Sequence, residues 1–266
     1  MNLLIYILFP IASICSNIYN EDLVKDSLLI SQNTYCDNNE INKESLVEKV
    51  LETDYDKAII GYNTKYDSIF VAFRGSNNIQ DWINNFHISK IYPYDKYENV
   101  GVENGFYSIY KTFELPIFSN IVYLSIKYNT SNLILTGHSL GAALSTLLAF
   151  DILNDDVYEG FNIHSIITFG SPRVGNYDFS NAIKNINSFR ITHYYDIVPH
   201  LPQELLNYYH IGQEVWYNED NTEYKICDNE DSEDKSCSNS CAPTKCTSTS
   251  DHLNYLNFTM GSEGEC

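Results

Sequence analysis

A chain of 266 residues with 35 acidic side chains against 16 Lys and Arg, formally −19 at pH 7, is a poor electrostatic partner for nucleic acid or an anionic membrane surface. An uncharged lipid or ester surface remains compatible with that charge. With 44% hydrophobic residues, the length suits one large α/β domain with a substantial core rather than two domains.

From the amino terminus, Met1 to Ile14 is apolar except for Asn2, Tyr6 and Ser13, and the small residues Ala12, Ser13, Cys15 and Ser16 gather at its end. This predicts a secretory signal peptide over residues 1–16, too short to span a bilayer. No later stretch is apolar for the ~20 residues of a transmembrane helix, so lipid contact is expected to be peripheral only. Export would lead to the extracellular medium or to a digestive, lysosome-like compartment. Asp22 to Tyr35 and Lys43 to Val50 have helical spacing, with Leu46, Val47 and Val50 on one face, and predict two packing helices. Ala58 to Tyr62 and Ser68 to Phe73 read as strands of a hairpin around the polar turn Asn63 to Asp67.

The second strand ends on Phe73-Arg74-Gly75-Ser76, and Asn77 to Tyr94 follows. There Ile79, Trp82, Ile83 and Phe86 fall at i, i+3, i+4 and i+7, a short amphipathic helix bracketed by Asn77, Asn78, Gln80, Asp81, Asn84 and Asn85. Such a helix either packs on the core or acts as a lid, its apolar face covering a site in water and turning to lipid at an interface. A long helix is expected from Phe106, interrupted near Pro116 and resuming into Tyr128.

Leu133 to Thr136 then reads as a strand, Gly137-His138-Ser139-Leu140-Gly141 follows, and Ala142 to Leu153 has an apolar helical pattern. Strand, GxSxG and helix in that order are the context of a nucleophile elbow, a turn so tight that its flanking positions can hardly carry a side chain. Ser139 becomes a candidate acyl-transfer nucleophile. Strand patterns at Ile163 to Phe169, Phe189 to His193 and Glu214 to Tyr217 alternate with helical or loop stretches, which predicts a mostly parallel sheet flanked by helices. Reacting groups in such sheets collect beyond the carboxyl ends of the strands.

A serine hydroxyl needs a base, and with this elbow the chain order is serine, acid, histidine. His252 is the best base: it follows a cysteine-rich loop and precedes an apolar run, Leu253 to Phe258, that can anchor it. His200 shares a turn with Asp196, and His210 precedes a strand-like stretch, so neither loop is as free to reach Ser139. Asp196 ends a strand pattern and can accept the second imidazole N–H, fixing the tautomer; Asp251 reads as structural. For the oxyanion, the backbone N–H groups of Leu140 and Ser76 are the candidate donors, with the Ser76 hydroxyl as a further one.

Removing the signal segment leaves six cysteines, Cys36, Cys227, Cys237, Cys241, Cys246 and Cys266, an even set that implies disulfides with 15 possible connectivities. The spacing of Cys227 to Cys246 lacks the close CxxC pairs of zinc sites. Asp228 to Asp234 concentrates acidity and reads as a solvated loop tip. Asn129-Thr130-Ser131 and Asn257-Phe258-Thr259 are glycosylation sequons.

Five stretches in the same order resemble the fungal-type, class 3 triacylglycerol lipases and their relatives among phospholipases A1 and feruloyl esterases. They are Phe73 to Ser76 with Trp82; Gly137 to Gly141; Phe169-Gly170-Ser171-Pro172-Arg173-Val174-Gly175-Asn176; His193 to Pro199 through Leu201-Pro202; and Asp251-His252-Leu253. The resemblance implies one α/β-hydrolase domain over residues 17–266, Ser139, Asp196 and His252 as triad, Ser76 and Leu140 as oxyanion donors, and a helical lid over residues 77–94. It also implies pairing Cys36 with Cys266, Cys227 with Cys237 and Cys241 with Cys246. The expected activity is a secreted serine esterase acting as a monomer on lipid esters at an oil–water interface, without metal or organic cofactor. Alternatives are a phospholipase A1, a feruloyl-type esterase, or a silent lipase-like binding protein. One departure is visible: where the family often has Val-His before Gly-Phe, this chain reads Val102-Glu103-Asn104-Gly105-Phe106, so acyl or head-group contacts are expected to differ there.

Overall fold

A computed structural model describes residues 18–38, 40–242 and 244–261; the expected signal segment and Cys266 lie outside them. Helix α1 (Glu21–Asn33) starts where the Asn20 side chain accepts the Leu23 N–H at 3.1 Å, satisfying a donor that has no partner inside the helix. Its Leu23, Val24, Leu28 and Ile30 are buried on one face of the sheet.

Strand β1 (Ser45–Glu52) stands where a helix was expected over Lys43 to Val50. It is an edge strand, antiparallel to β2 (Lys57–Asn63), and its register slips between Val47 and Lys49. That bulge breaks the two-residue alternation, so Leu46, Val47 and Val50 mimic helical spacing in the sequence. β2 returns into β3 (Ser68–Phe73) as the expected hairpin. Helix α2 (Ile79–Asn85) follows, and then two short strands, β4 (Lys90–Ile91) and β5 (Val102–Glu103), pair antiparallel.

Helix α3 (Asn104–Tyr128) runs through Pro116 without the expected interruption. An interior proline costs about 3 kcal/mol. Here its ring is exposed, while Phe106, Tyr110, Phe113, Ile117, Ile121 and Leu124 bury one continuous face on both sides of it. Tertiary packing outweighs the local break.

The remaining elements are β6 (Asn132–His138), α4 (Leu140–Asn154), β7 (Asn162–Phe169), α5 (Tyr177–Ala182), β8 (Ser188–His193), β9 (Gln213–Tyr217), β10 (Tyr224–Ile226), α6 (Thr249–His252), β11 (Asn254–Tyr255) and β12 (Phe258–Thr259). The sheet order is β1-β2-β3-β6-β7-β8-β9-β10, with β3 and β6 to β9 parallel at the centre and antiparallel strands at both edges. Alternate residues feed two cores: Ile69, Val71 and Phe73 pack with α3 and α4, and Phe70 and Ala72 with α1. Helices on both faces of a mostly parallel sheet make the α/β-hydrolase fold that the sequence led us to expect. Among the described residues no helix is long and apolar enough to cross a membrane.

Cys227–Cys237 and Cys241–Cys246 are bonded, so these sulfurs are committed to disulfides rather than to zinc. Inside the Cys227–Cys237 loop the acidic run is solvated at Asp228, Glu230 and Asp231, as expected, with Glu233 as the exception. Glu233 is buried, receives Arg173 Nε at 2.9 Å and Nη2 at 2.6 Å, and accepts the His210 N–H at 2.9 Å.

Candidate active site

Strand β6 runs straight into Ser139, which is held at φ 57° and ψ −126°, and Leu140 begins α4. A residue with a side chain adopts that conformation only when its surroundings enforce it. Those surroundings are close: the Ser139 N–H donates to Phe169 O at 2.9 Å, and a Cβ on Gly141 would lie 2.0 Å from Phe73 O. A Cβ on Gly137 would meet Gly141 O at 2.4 Å. Both glycines are therefore demanded by backbone contact, which also draws the end of β3 against the elbow.

Asp196 and His252 come together from distant segments. Just past β8, Asp196 is bridged in parallel to Ser248, and the Ser248 hydroxyl caps α6, whose last residue is His252. The two side chains are buried, with His252 Nδ1 donating to Asp196 Oδ2 at 2.9 Å. Tyr255 donates to the same oxygen at 2.5 Å, and Val198 N–H to Oδ1 at 2.8 Å. Burial opposes ionisation of Asp196, but the His252 charge and these hydrogen bonds outweigh it and hold the carboxyl below its ordinary value. Ser139 Oγ and His252 Nε2 are both buried without a hydrogen-bond partner in this conformation. The loop after β7 meets both segments: the Ser139 N–H is bonded to Phe169 O, and a Cβ on the next residue, Gly170, would be 2.8 Å from the His252 ring.

The two alternative base candidates, His210 and His200, make contacts of their own. His210 Nε2 donates to Pro199 O at 2.7 Å, and burial pushes its pKa well down. Burial, aided by Arg173, lowers His200 to about 4, and its Nε2 lies 3.6 Å from Cys241 Sγ. Asp251 accepts the Tyr195 N–H at 3.2 Å, the structural role expected of it. Tyr255 was not singled out in the sequence; its distance from Asp196 in the chain hides the bond, although its place in the apolar run after His252 was visible.

Leu140 is buried at the first position of α4, and a Cβ on Gly75 would lie 3.1 Å from Ser139 Cβ, so Ser76 follows directly on a residue packed against the elbow. Beyond it, Asn78 caps α2 by accepting the Asp81 N–H at 3.1 Å. Ile79, Trp82, Ile83 and Phe86 are half-buried while Gln80, Asp81, Asn84 and Asn85 are exposed. The indole of Trp82 and the ring of Phe86 stack on Phe106 at 6.3 and 5.5 Å between centroids. Beside them is a cavity of about 280 Å³ lined by Trp82, Phe86, Glu103, Phe106, Ile109 and Leu140, among others. Glu103, the departure noted in the sequence, caps α3 by accepting the Phe106 N–H at 2.8 Å and receives the Ser89 N–H at 3.4 Å.

With this geometry in hand, comparison with known proteins is decisive. The profile of the family described as Lipase (class 3) matches residues 70–206. The chain belongs to the class 3 lipase family. Among relatives of this class 3 lipase family member, a lipase of Rhizomucor miehei is 30% identical over 209 residues, 77% of this chain and 56% of the relative. A secreted mono- and diacylglycerol lipase of Fusarium solani is 32% identical over 180 residues, 64% of this chain and 52% of the relative. The chain thus spans about half the length of the curated relatives it matches. The solved structure of lipase II from Rhizopus niveus superposes with a TM-score of 0.82 at 27% identity, covering 91% of this chain and 96% of that one.

Proposed function

We propose that this class 3 lipase family member is a secreted serine esterase of the triacylglycerol lipase type. The observation that carries the reading is the buried Asp196–His252 pair at 2.9 Å beside a serine in a strained elbow. In the proposed reaction, Ser139 Oγ attacks the ester carbonyl carbon as its proton passes to His252 Nε2. The tetrahedral oxyanion is held by the backbone N–H groups of Leu140 and Ser76 and by the Ser76 hydroxyl. The alcohol leaves with the proton from His252, and water, activated by the same imidazole, attacks the acyl-enzyme and releases the fatty acid. Asp196 stays ionised and keeps the imidazole oriented.

In this reading residues 77–94 are the lid, drawn here in its closed position. Ser139 and His252 are sealed from solvent, with 1% and 0% of their surface exposed, and the apolar face of α2 lies on Phe106. A lipid surface can exchange that contact for its own. The apolar lid face favours lipid esters over small aromatic esters.

The test is a fluorophosphonate probe together with a panel of emulsified triacylglycerol, monoacylglycerol, phospholipid and feruloyl ester. Covalent labelling in the wild type and its loss in Ser139→Ala, with turnover down at least roughly 10⁴-fold, are expected. An unlabelled wild type that turns over no ester would leave only a binding role. Turnover of phospholipid or feruloyl ester ahead of triacylglycerol would move the assignment to those classes.

A further inference from the structure

The three segments that build the site are joined by one chain of hydrogen bonds that the proposed reaction does not itself use. Tyr35, just past α1, brings its hydroxyl to Gly75, whose N–H donates to it at 3.1 Å. The same hydroxyl is 2.8 Å from His138 Nδ1, and His138 Nε2 is 2.8 Å from the carbonyl oxygen of His252. A carbonyl can only accept, so Nε2 carries the proton and Nδ1 is the bare acceptor. The Tyr35 hydroxyl must then donate to Nδ1, which matches its acceptance of the Gly75 N–H. Every donor and acceptor is used once and in one direction. Burial, with the nearby His252, lowers the His138 pKa to about 3, and burial also raises that of Tyr35, so both stay neutral.

The joints fall at the working parts. Gly75 lies between Tyr35 and the elbow: a Cβ there would be 2.2 Å from the Tyr35 oxygen and 2.7 Å from His138 O. His138 immediately precedes the nucleophile, and its ring centroid is 4.5 Å from that of His252. Lys57 Nζ donates at 2.6 Å to Cys36 O, anchoring the segment that carries Tyr35.

We propose that Tyr35 and His138 are positioning residues for the reaction, setting the oxyanion loop at Gly75–Ser76 and the backbone of His252 in register with Ser139. This rests on the esterase reading. A loop displaced by even 1 Å takes its N–H donor off the developing oxyanion, and such misplacement costs on the order of 10²-fold in rate.

The experiment has two arms. In wild-type protein with ¹⁵N-labelled histidine, His138 is expected to show a protonated Nε2 and a bare Nδ1 unchanged from pH 8 to pH 5. A proton on Nδ1, or titration near pH 6, would overturn the proposal whatever the enzyme's activity. In the second arm, Tyr35→Phe, His138→Gln and the double variant are assayed on a soluble butyrate ester. Tyr35→Phe is expected to lower kcat about tenfold with KM within twofold, and the double variant to be no slower than His138→Gln. A Tyr35→Phe kcat within twofold of wild type, or losses that multiply in the double variant, would refute the shared chain. Absent fluorophosphonate labelling of the wild type would instead defeat the esterase reading and leave the histidine spectrum to decide the network.

Discussion

At the scale of single residues, Asp151 is a buried carboxyl outside the site whose chemistry has a measurable signature. It lies near the end of α4 with the Tyr110 hydroxyl donating to Oδ2 at 2.6 Å. Burial raises its pKa to about 7, against the pull of the Tyr110 bond and with repulsion from Glu114. The native carboxyl therefore holds its proton more tightly than the unfolded one. The stability it contributes is full below about pH 4 and is lost as the pH rises through about 7. Asp151→Asn keeps an acceptor for Tyr110 and removes the titration. Its stability should match wild type near pH 4 and exceed it by on the order of 3 kcal/mol at pH 8, read from denaturant unfolding at each pH. A constant difference across that range would contradict the assignment. In the sequence, the elbow at Ser139 and the pairing of Asp196 with His252 were legible because the elbow fixes the chain order of the proposed partners. Tyr255, Tyr35 and His138 were not, since each acts through an atom brought to it by the tertiary fold from up to 114 residues away.

At the scale of elements, strands and helices with unbroken periodicity could be read directly: β2, β3, β6 to β9, α1 and α4 stand within a few residues of their expected limits. The misreadings were local patterns overridden by packing, the bulge of β1 and the proline carried through α3. Helix α2 was legible as amphipathic, but the surface that receives it was not. Phe106, which packs against both Trp82 and Phe86, sits at the start of α3, and Glu103 caps that start. In the proposed function these ring contacts are what hold the lid closed, and an aromatic pair contributes roughly 0.5–1.5 kcal/mol beyond the area it buries. Trp82→Ala should therefore open the lid more often in water. Hydrolysis of a monomeric soluble ester is expected to rise several-fold, while the jump in rate on passing to emulsified ester shrinks. Parallel losses on both substrates would mean that Trp82 belongs to the substrate groove rather than to a closing contact.

At the scale of the whole molecule, charge decides which surfaces the protein can approach. The formal charge is −19, and some of the cations are already paired with carboxylates: Lys65 with Asp22 and Asp26, Lys96 with Asp156, Lys127 with Glu48, and Arg173 with Glu233. The excess of carboxylates over cations meets an anionic headgroup layer as net repulsion, which acts before any apolar contact forms. That repulsion reaches about 30 Å at 0.01 M ionic strength and about 3 Å at 1 M. Apolar burial by the lid is far less sensitive to salt, so the two contributions separate in one titration. With Ser139→Ala to prevent turnover, co-sedimentation with anionic vesicles should be weak at low salt and increase steadily as salt is added. Binding to a neutral oil emulsion should change little over the same range. Anionic binding that is strong at 0.01 M and falls with salt would instead require a local basic patch strong enough to overcome the net charge, and the approach to substrate would then be electrostatic rather than through the apolar face of α2.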